Sequence, residues 1–157
     1  MNDAYYREKA KRAKALYDKG LPFVKVYAPV RDGDKFIVLA KQAPDGVRYD
    51  IAGGGVDEGE TLEDAIRREL MEELNVEVDI IKEIGMNNET FRTWELDGEK
   101  FDIRYEIHVF DTKLKNKLSG SFGLDGEFEK NVKIAGIDKE TLMHSVYEFN
   151  KLGMKID

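Results

Sequence analysis

The stretch Gly53–Val76, GGGVDEGETLEDAIRRELMEELNV, decides the reading of this chain. It opens on three glycines and closes on a helix that gathers Glu69, Glu72 and Glu73 into its last turns. Thr61-Leu62-Glu63-Asp64 has the form of a capping box, so the helix is expected to begin there and to run through Leu74. At roughly 100° per residue, Leu62, Ala65, Ile66, Leu70 and Leu74 fall on one broad apolar face. Glu73 projects between Leu62 and Ile66, and Glu69 sits at the edge of the same arc. A surface helix rich in glutamate would place its charges on the far side and follow each with Lys or Arg one turn on. Here the residue one turn after Glu69 is Glu73, and one turn after Glu73 comes Glu77. Within the cluster only Arg68 and Glu72 make a pair of opposite sign. The Glu69–Glu73 repulsion costs on the order of a few tenths of a kcal/mol in an exposed helix. Crowding toward the negative end of the helix dipole adds a similar penalty.

A bound cation resolves the misplacement. Three neighbouring carboxylates offer hard oxygen ligands, which suit Mg²⁺ or Mn²⁺ and not a soft metal. The glycines supply the other half of such a site. Lacking Cβ, Gly53, Gly54 and Gly55 let backbone groups approach an ion or a phosphate closely. A glycine run alone is more often a turn, and a glutamate cluster alone is more often a solvated face. The two together at fixed spacing are specific.

The rest of the composition limits the choices. A chain of 157 residues with 41% apolar residues suffices for one domain, taken as residues 1–157, with a sizeable core. The formal charge of -7 argues against an electrostatic grip on nucleic acid or on an anionic membrane. It leaves room for a phosphorylated small molecule, because a divalent cation reverses the local sign of a site. The absence of cysteine excludes a disulfide scaffold, thiol catalysis and a cysteine zinc site, and it fits a reducing compartment such as the cytoplasm. The charged N-terminus and the lack of a long apolar run predict neither signal peptide nor membrane span.

Outward from the central stretch, a helix is expected over about 3–18, with its basic run a solvated face. PFVKVYAPV and KFIVLAKQ read as two strands around a hairpin, and YDIAGGG as a short strand entering the glycine loop. VEVDIIKEIGM, ETFRTWEL and EKFDIRYEIHVFDTKL read as three strands, the last two joined by a turn at LDGEK. Residues 115–130 read as a loop, VKIAGI as a last strand, and Asp138–Asn150 as a closing helix capped by Asp138. The pattern predicts an α+β fold, an α/β/α sandwich with a mixed β-sheet flanked by helices.

These residues resemble the signature of the Nudix hydrolases, G-x5-E-x7-R-E-U-x-E-E-x-G-U, where U is a bulky aliphatic residue. Gly54, Glu60, Arg68-Glu69-Leu70, Glu72-Glu73 and Val76 all match in spacing. Asn75 replaces the usual helix-ending glycine, and Asn tolerates the left-handed cap that this position requires. Ala52 stands where many relatives have Pro, which touches loop stiffness and not the ligands. The box covers 54–76, and the order of strands around it is similar to the Nudix fold over most of the remainder.

The resemblance implies metal-dependent hydrolysis of a pyrophosphate bond in a nucleoside diphosphate linked to another moiety, with a small-molecule nucleotide as substrate. By position Glu69, Glu72 and Glu73 are the implied metal ligands, joined by the carbonyl of Gly53 or Gly54. Glu60 and Arg68 match the pair that braces the helix against the loop, a task suited to a guanidinium. The general base is drawn from the three glutamates or from Glu127 and Glu129 in the late loop. Glu106 is read as structural. Tyr27, Tyr49, Phe91, Trp94 and Tyr105 are candidates to stack on a base, although each alone is more often core. His108 and His144 are read as structural. The absence of Pro beyond Pro44 weighs against ADP-ribose, and Phe91 and Trp94 stand where diadenosine polyphosphate hydrolases tend to place Tyr. Two rivals are a nucleotide-binding sensor without turnover, which tends to lose a box residue, and a structural calcium site, for which no Asp/Asn-rich loop is present. A homodimer is compatible with the chain.

Overall fold

The computed structural model describes residues 3–117 and 132–157. Its centre is an eight-stranded mixed sheet. Strand β1 (Phe23–Ala28) and strand β2 (Val30–Asp32) run in one direction, interrupted at Pro29, which has no N–H to give to a ladder. Both pair in parallel with the long strand β7 (Glu99–Lys117). The buried Thr112 hydroxyl of β7 donates to the Pro29 carbonyl at 3.0 Å, which satisfies the backbone at the break. Strand β3 (Lys35–Ala43) turns back along β2, pairs further along that edge with β4 (Gly46–Asp50), and pairs on its other edge with β8 (Val132–Ile137). Strand β5 (Ala52–Gly55) pairs antiparallel with β1 and ends the sheet.

The region read as two strands over 76–96 is one irregular strand, β6 (Val76–Leu96), paired with β7 throughout. The apparent gap around Asn87 is a register shift: the Asn87 Oδ1 accepts from the Glu89 amide at 3.1 Å and from the Thr90 hydroxyl at 3.0 Å. A side chain thus replaces the missing ladder bonds locally. The turn after β6 is the expected one, with Asp97 and Gly98 both at positive φ.

Helix α1 (Asp3–Asp18) and helix α2 (Leu62–Leu74) lie on opposite faces of the sheet. On the face of α1 the closing segment also packs, as two short helices, α3 (Lys139–Ser145) and α4 (Tyr147–Asn150), and not the single helix expected. Val146 separates them in an extended conformation, with its side chain fully buried in the core. Burial of that β-branched residue outweighs continuation of the helix. The result is the α/β/α sandwich that the pattern predicted. Among the described residues no helix is long and apolar enough to cross a membrane.

Candidate active site

Helix α2 starts and stops where local chemistry says it should. The Thr61 hydroxyl accepts from the Asp64 amide at 3.1 Å, and Asn75 adopts φ 56 and ψ 45, its amide reaching the Met71 carbonyl at 3.0 Å. Ala65, Ile66, Leu70 and Leu74 are fully buried against the sheet. That docking carries the glutamates to the glycine strand. The register sets Gly54 opposite Val26, on the face that α2 covers. A Cβ on Gly54 would lie 2.6 Å from the Glu69 carboxylate, so only glycine lets that carboxylate seat on the strand. A Cβ on Gly53 would meet the Val26 carbonyl at 1.9 Å. The Gly53 amide donates to Glu73 Oε2 at 3.2 Å.

Arg68 ties these parts together. Its Nε and Nη2 donate to the two oxygens of Glu60, both at 2.9 Å. Nη2 also reaches the Gly55 carbonyl at 2.9 Å, and Nη1 reaches Glu69 Oε1 at 3.0 Å and Glu72 at 3.5 Å. One planar guanidinium therefore joins the loop, the glycine strand and the helix, which a lysine could not do with a single ammonium. Glu60 in turn accepts from the Asp57 amide at 3.0 Å, closing the loop on itself.

The proton affinities follow from this arrangement. The hydrogen bond to Arg68 holds the Glu60 carboxyl down to about 2. Glu60 therefore adds to stability above about pH 4.5, and the contribution is lost as pH falls toward about 2. Glu60→Gln is expected to melt below wild type at neutral pH, with the gap narrowing through that acid window. Melting temperature against pH measures it, and a gap of constant size would contradict the clamp. Glu69 shifts in the other direction: burial raises its carboxyl, with Arg68 opposing. Its side chain is 12% exposed, and the one guanidinium that it meets is shared with Glu60 and Glu72, so the group is short of positive charge.

The hard oxygen donors, the glycine cradle under Glu69 and that shortage of charge fit a divalent cation. Among the described residues, however, no three acidic or imidazole side chains converge as a ready-made ion cage. Glu69 and Glu72 lean on Arg68 and Glu73 on the Gly53 amide. Glu127 and Glu129 fall outside the described residues.

Two cavities flank this region. The larger, about 620 Å³, is bordered by Asp57, Glu60 and Leu62 but by none of the three clustered glutamates. The smaller, about 270 Å³, is walled by Tyr6, Lys25, Tyr27, Arg92, Trp94 and Tyr105. None of the three borders the smaller either, although its Lys25 is within electrostatic range of Glu69 and Glu73. Three of the aromatic candidates, Tyr27, Trp94 and Tyr105, line it. Tyr49 packs against the core, and Phe91 is 61% exposed. Lys25 was not singled out in the sequence. The signal was present in FVKVYA, where alternation places Lys25 on the same face as Phe23 and Tyr27. His108 has partners that the sequence did not name. Its ring nitrogens lie 2.7 Å from Glu83 and 2.8 Å from Glu106, so it links carboxylates of β6 and β7. His144 Nδ1 lies 2.8 Å from the Glu140 carbonyl, within its own helix.

A carboxylate-bearing helix is clamped by arginine onto a glycine strand, on a mixed sheet between helical layers, the arrangement that the Nudix resemblance implies. Comparison with known proteins agrees. A family model of the NUDIX domain matches residues 21–145. The chain is 30% identical over 132 residues to the nucleoside triphosphatase NudI of Escherichia coli K12, an alignment covering 80% of this chain and 87% of that protein. In fold it is similar to a NUDIX hydrolase from Nitrosomonas europaea, with TM-score 0.50 and 20% identity over 79% of this chain and 77% of that one. It is likewise similar to a MutT NUDIX hydrolase from Burkholderia pseudomallei, with TM-score 0.50 and 18% identity over 74% and 83% of the two chains. The chain belongs to the Nudix family. It is a Nudix hydrolase, an enzyme class acting on derivatives of nucleoside diphosphates.

Proposed function

We propose that this enzyme hydrolyses a phosphoric anhydride bond of a nucleoside triphosphate, with Mg²⁺ or Mn²⁺ held by Glu69, Glu72, Glu73 and a backbone carbonyl of Gly53 or Gly54. The observation that carries the reading is the Arg68 clamp, which holds Glu69 and Glu72 beside the glycine strand, where Glu73 accepts from the Gly53 amide. The substrate class is drawn from the nucleoside triphosphatase to which the chain is similar.

When bound, the cation neutralises charge on the phosphoryl oxygens and lowers the pKa of a bound water. The protein's own part is positioning. Arg68 and Glu60 keep the helix at a fixed distance from β5, so the carboxylates do not have to reorganise as charge develops on the phosphates. Gly53 and Gly54 let Glu69 and Glu73 seat against the backbone of β5. The attacking water gives its proton to one of the helix glutamates, or to Glu127 or Glu129.

Each nucleoside triphosphate, incubated with the protein and Mg²⁺ or Mn²⁺, should yield a shortened nucleotide and phosphate or pyrophosphate, separable by ion-exchange chromatography. No turnover of any of them would overturn the substrate class. Chelator is expected to abolish turnover and added Mg²⁺ to restore it. Undiminished activity in a metal-stripped, chelator-treated sample would overturn the metal dependence.

A further inference from the structure

The family match begins at residue 21, so α1 lies outside it. Yet one side chain of α1 reaches the arginine clamp. Arg12 Nη1 donates to Asp57 Oδ1 at 3.1 Å, and the other oxygen of that carboxylate, Oδ2, lies 3.5 Å from Arg68 Nε. One carboxylate thus joins two guanidinium groups, one from each helical layer of the sandwich.

The strand β5 explains how they meet. It ends the sheet, so beyond it side chains of the two layers can approach each other. Asp57 stands just past its last residue, Gly55. The Gly55 carbonyl accepts from Arg68 Nη2 at 2.9 Å. A Cβ on the same glycine would lie 3.0 Å from the Phe23 ring and 3.4 Å from Arg12 Nη1, so the Arg12 guanidinium rests against bare backbone. It also lies 5.3 Å from the Phe23 ring centroid, a contact that aims it at Asp57.

The Arg12–Asp57 pair is open to solvent, with 37% and 57% of the two side chains exposed, so it adds little to global stability. Its effect is local. Arg68 serves Glu60 and Gly55 at 2.9 Å and Glu69 at 3.0 Å, while Glu72 and Asp57 wait at 3.5 Å. Asp57 without a cation of its own would compete with Glu69 and Glu72 for that guanidinium. It would also carry the loop over 57–60 with it, because the Asp57 amide donates to Glu60 Oε1 and the Glu60 amide to the Asp57 carbonyl, both at 3.0 Å.

We propose that Arg12 is a positioning residue for the acidic helix: by holding Asp57 it fixes the loop over 57–60 and leaves Arg68 to hold Glu69 and Glu72. Its effect on rate rests on the reading of the enzyme as a nucleotide hydrolase, but its effect on the loop can be measured without metal or substrate.

Amide hydrogen exchange at residues 57 and 60 is followed in chelator. Arg12→Ala is expected to quicken it about two- to fivefold, the scale of an exposed ion pair. Arg12→Lys can keep one bond to Asp57 and should restore most of the protection. Arg7→Ala is the control. Arg7 stands on the same helix and pairs with Asp97 in the turn after β6, away from the loop, so exchange there should match wild type. With Mg²⁺ and a nucleoside triphosphate, Arg12→Ala should lower kcat by a similar factor and leave KM nearly unchanged. The double variant Arg12→Ala/Asp57→Ala should match Asp57→Ala alone, because Arg12 acts through that carboxylate. Unchanged exchange in Arg12→Ala, or the same change in Arg7→Ala, overturns the proposal. So does a double variant slower than Asp57→Ala by the full Arg12→Ala factor. Melting curves identify a variant that does not fold; Asp57→Ala, which leaves Arg12 on the Phe23 ring, then carries the exchange test, and unchanged exchange in it overturns the proposal equally. If the loop responds to Arg12 but wild type turns over no nucleotide, the bracing of the loop stands and the hydrolase reading falls. If nucleotides are turned over and Arg12→Ala keeps the wild-type kcat, the hydrolase reading stands and the positioning role of Arg12 falls.

Discussion

Arg68→Ala is expected to lose about 10- to 100-fold in turnover, the usual cost of removing a residue that orients metal ligands. Stability should fall by on the order of 2 kcal/mol, because hydrogen bonds to charged groups are lost from a partly buried site. The geometry gives the reason. One guanidinium bonds Glu60 and Glu69 and satisfies the Gly55 carbonyl. Without it the loop over 57–60 is released, and the glutamates are left to repel one another. Arg68→Lys should recover charge but not the forked geometry, and so only part of the rate. Metal affinity, followed as the melting-temperature gain from added Mg²⁺, should drop but not vanish, since Arg68 is no ligand itself. A wild-type rate in Arg68→Ala would remove the clamp from the mechanism.

Glu73→Gln should have the larger effect on rate and the smaller effect on fold. Turnover is expected to fall by at least about a hundredfold, the scale for losing one positioned electrostatic group. The fold is expected to survive, because the Gln side-chain oxygen can still accept from the Gly53 amide, which now meets Glu73 at 3.2 Å. In chelator the variant loses the repulsion between Glu73 and Glu69 along with the attraction between Glu73 and Lys25. These nearly offset, so it should melt at or slightly above wild type. With Mg²⁺ the order reverses. A ligand that binds the folded state at a hundred times its Kd adds about 2.7 kcal/mol, and a weakened site gains less. Melting curves with and without Mg²⁺ separate the two effects. A variant that melts clearly lower in chelator would make Glu73 a structural residue.

Much of the fold was legible because it is local. The Thr61 cap, the left-handed Asn75, the Asp97-Gly98 turn and the run of α1 depend on contacts a few residues apart, which spacing alone reveals. The glutamates were legible for a related reason: their crowding on one helical face is a cost that can be counted without coordinates. Errors arose where burial competes with local preference. Val146 breaks the closing helix to bury its side chain, and Asn87 bridges a register shift that reads in sequence as a gap between strands.

The sequence by itself determined the acidic helix, its two ends and the family, because these rest on periodicity and fixed spacing. Only the tertiary structure decided what that helix faces. Gly54 must be bare because Glu69, fifteen positions on, folds back over it, a distance that no helical period encodes. Lys25, which the sequence did not single out, lies in β1 between β5 and β7. Whether a charge is solvated or confined is set by what packs on it from afar, so the burial of Lys25 emerges only when the sheet is assembled.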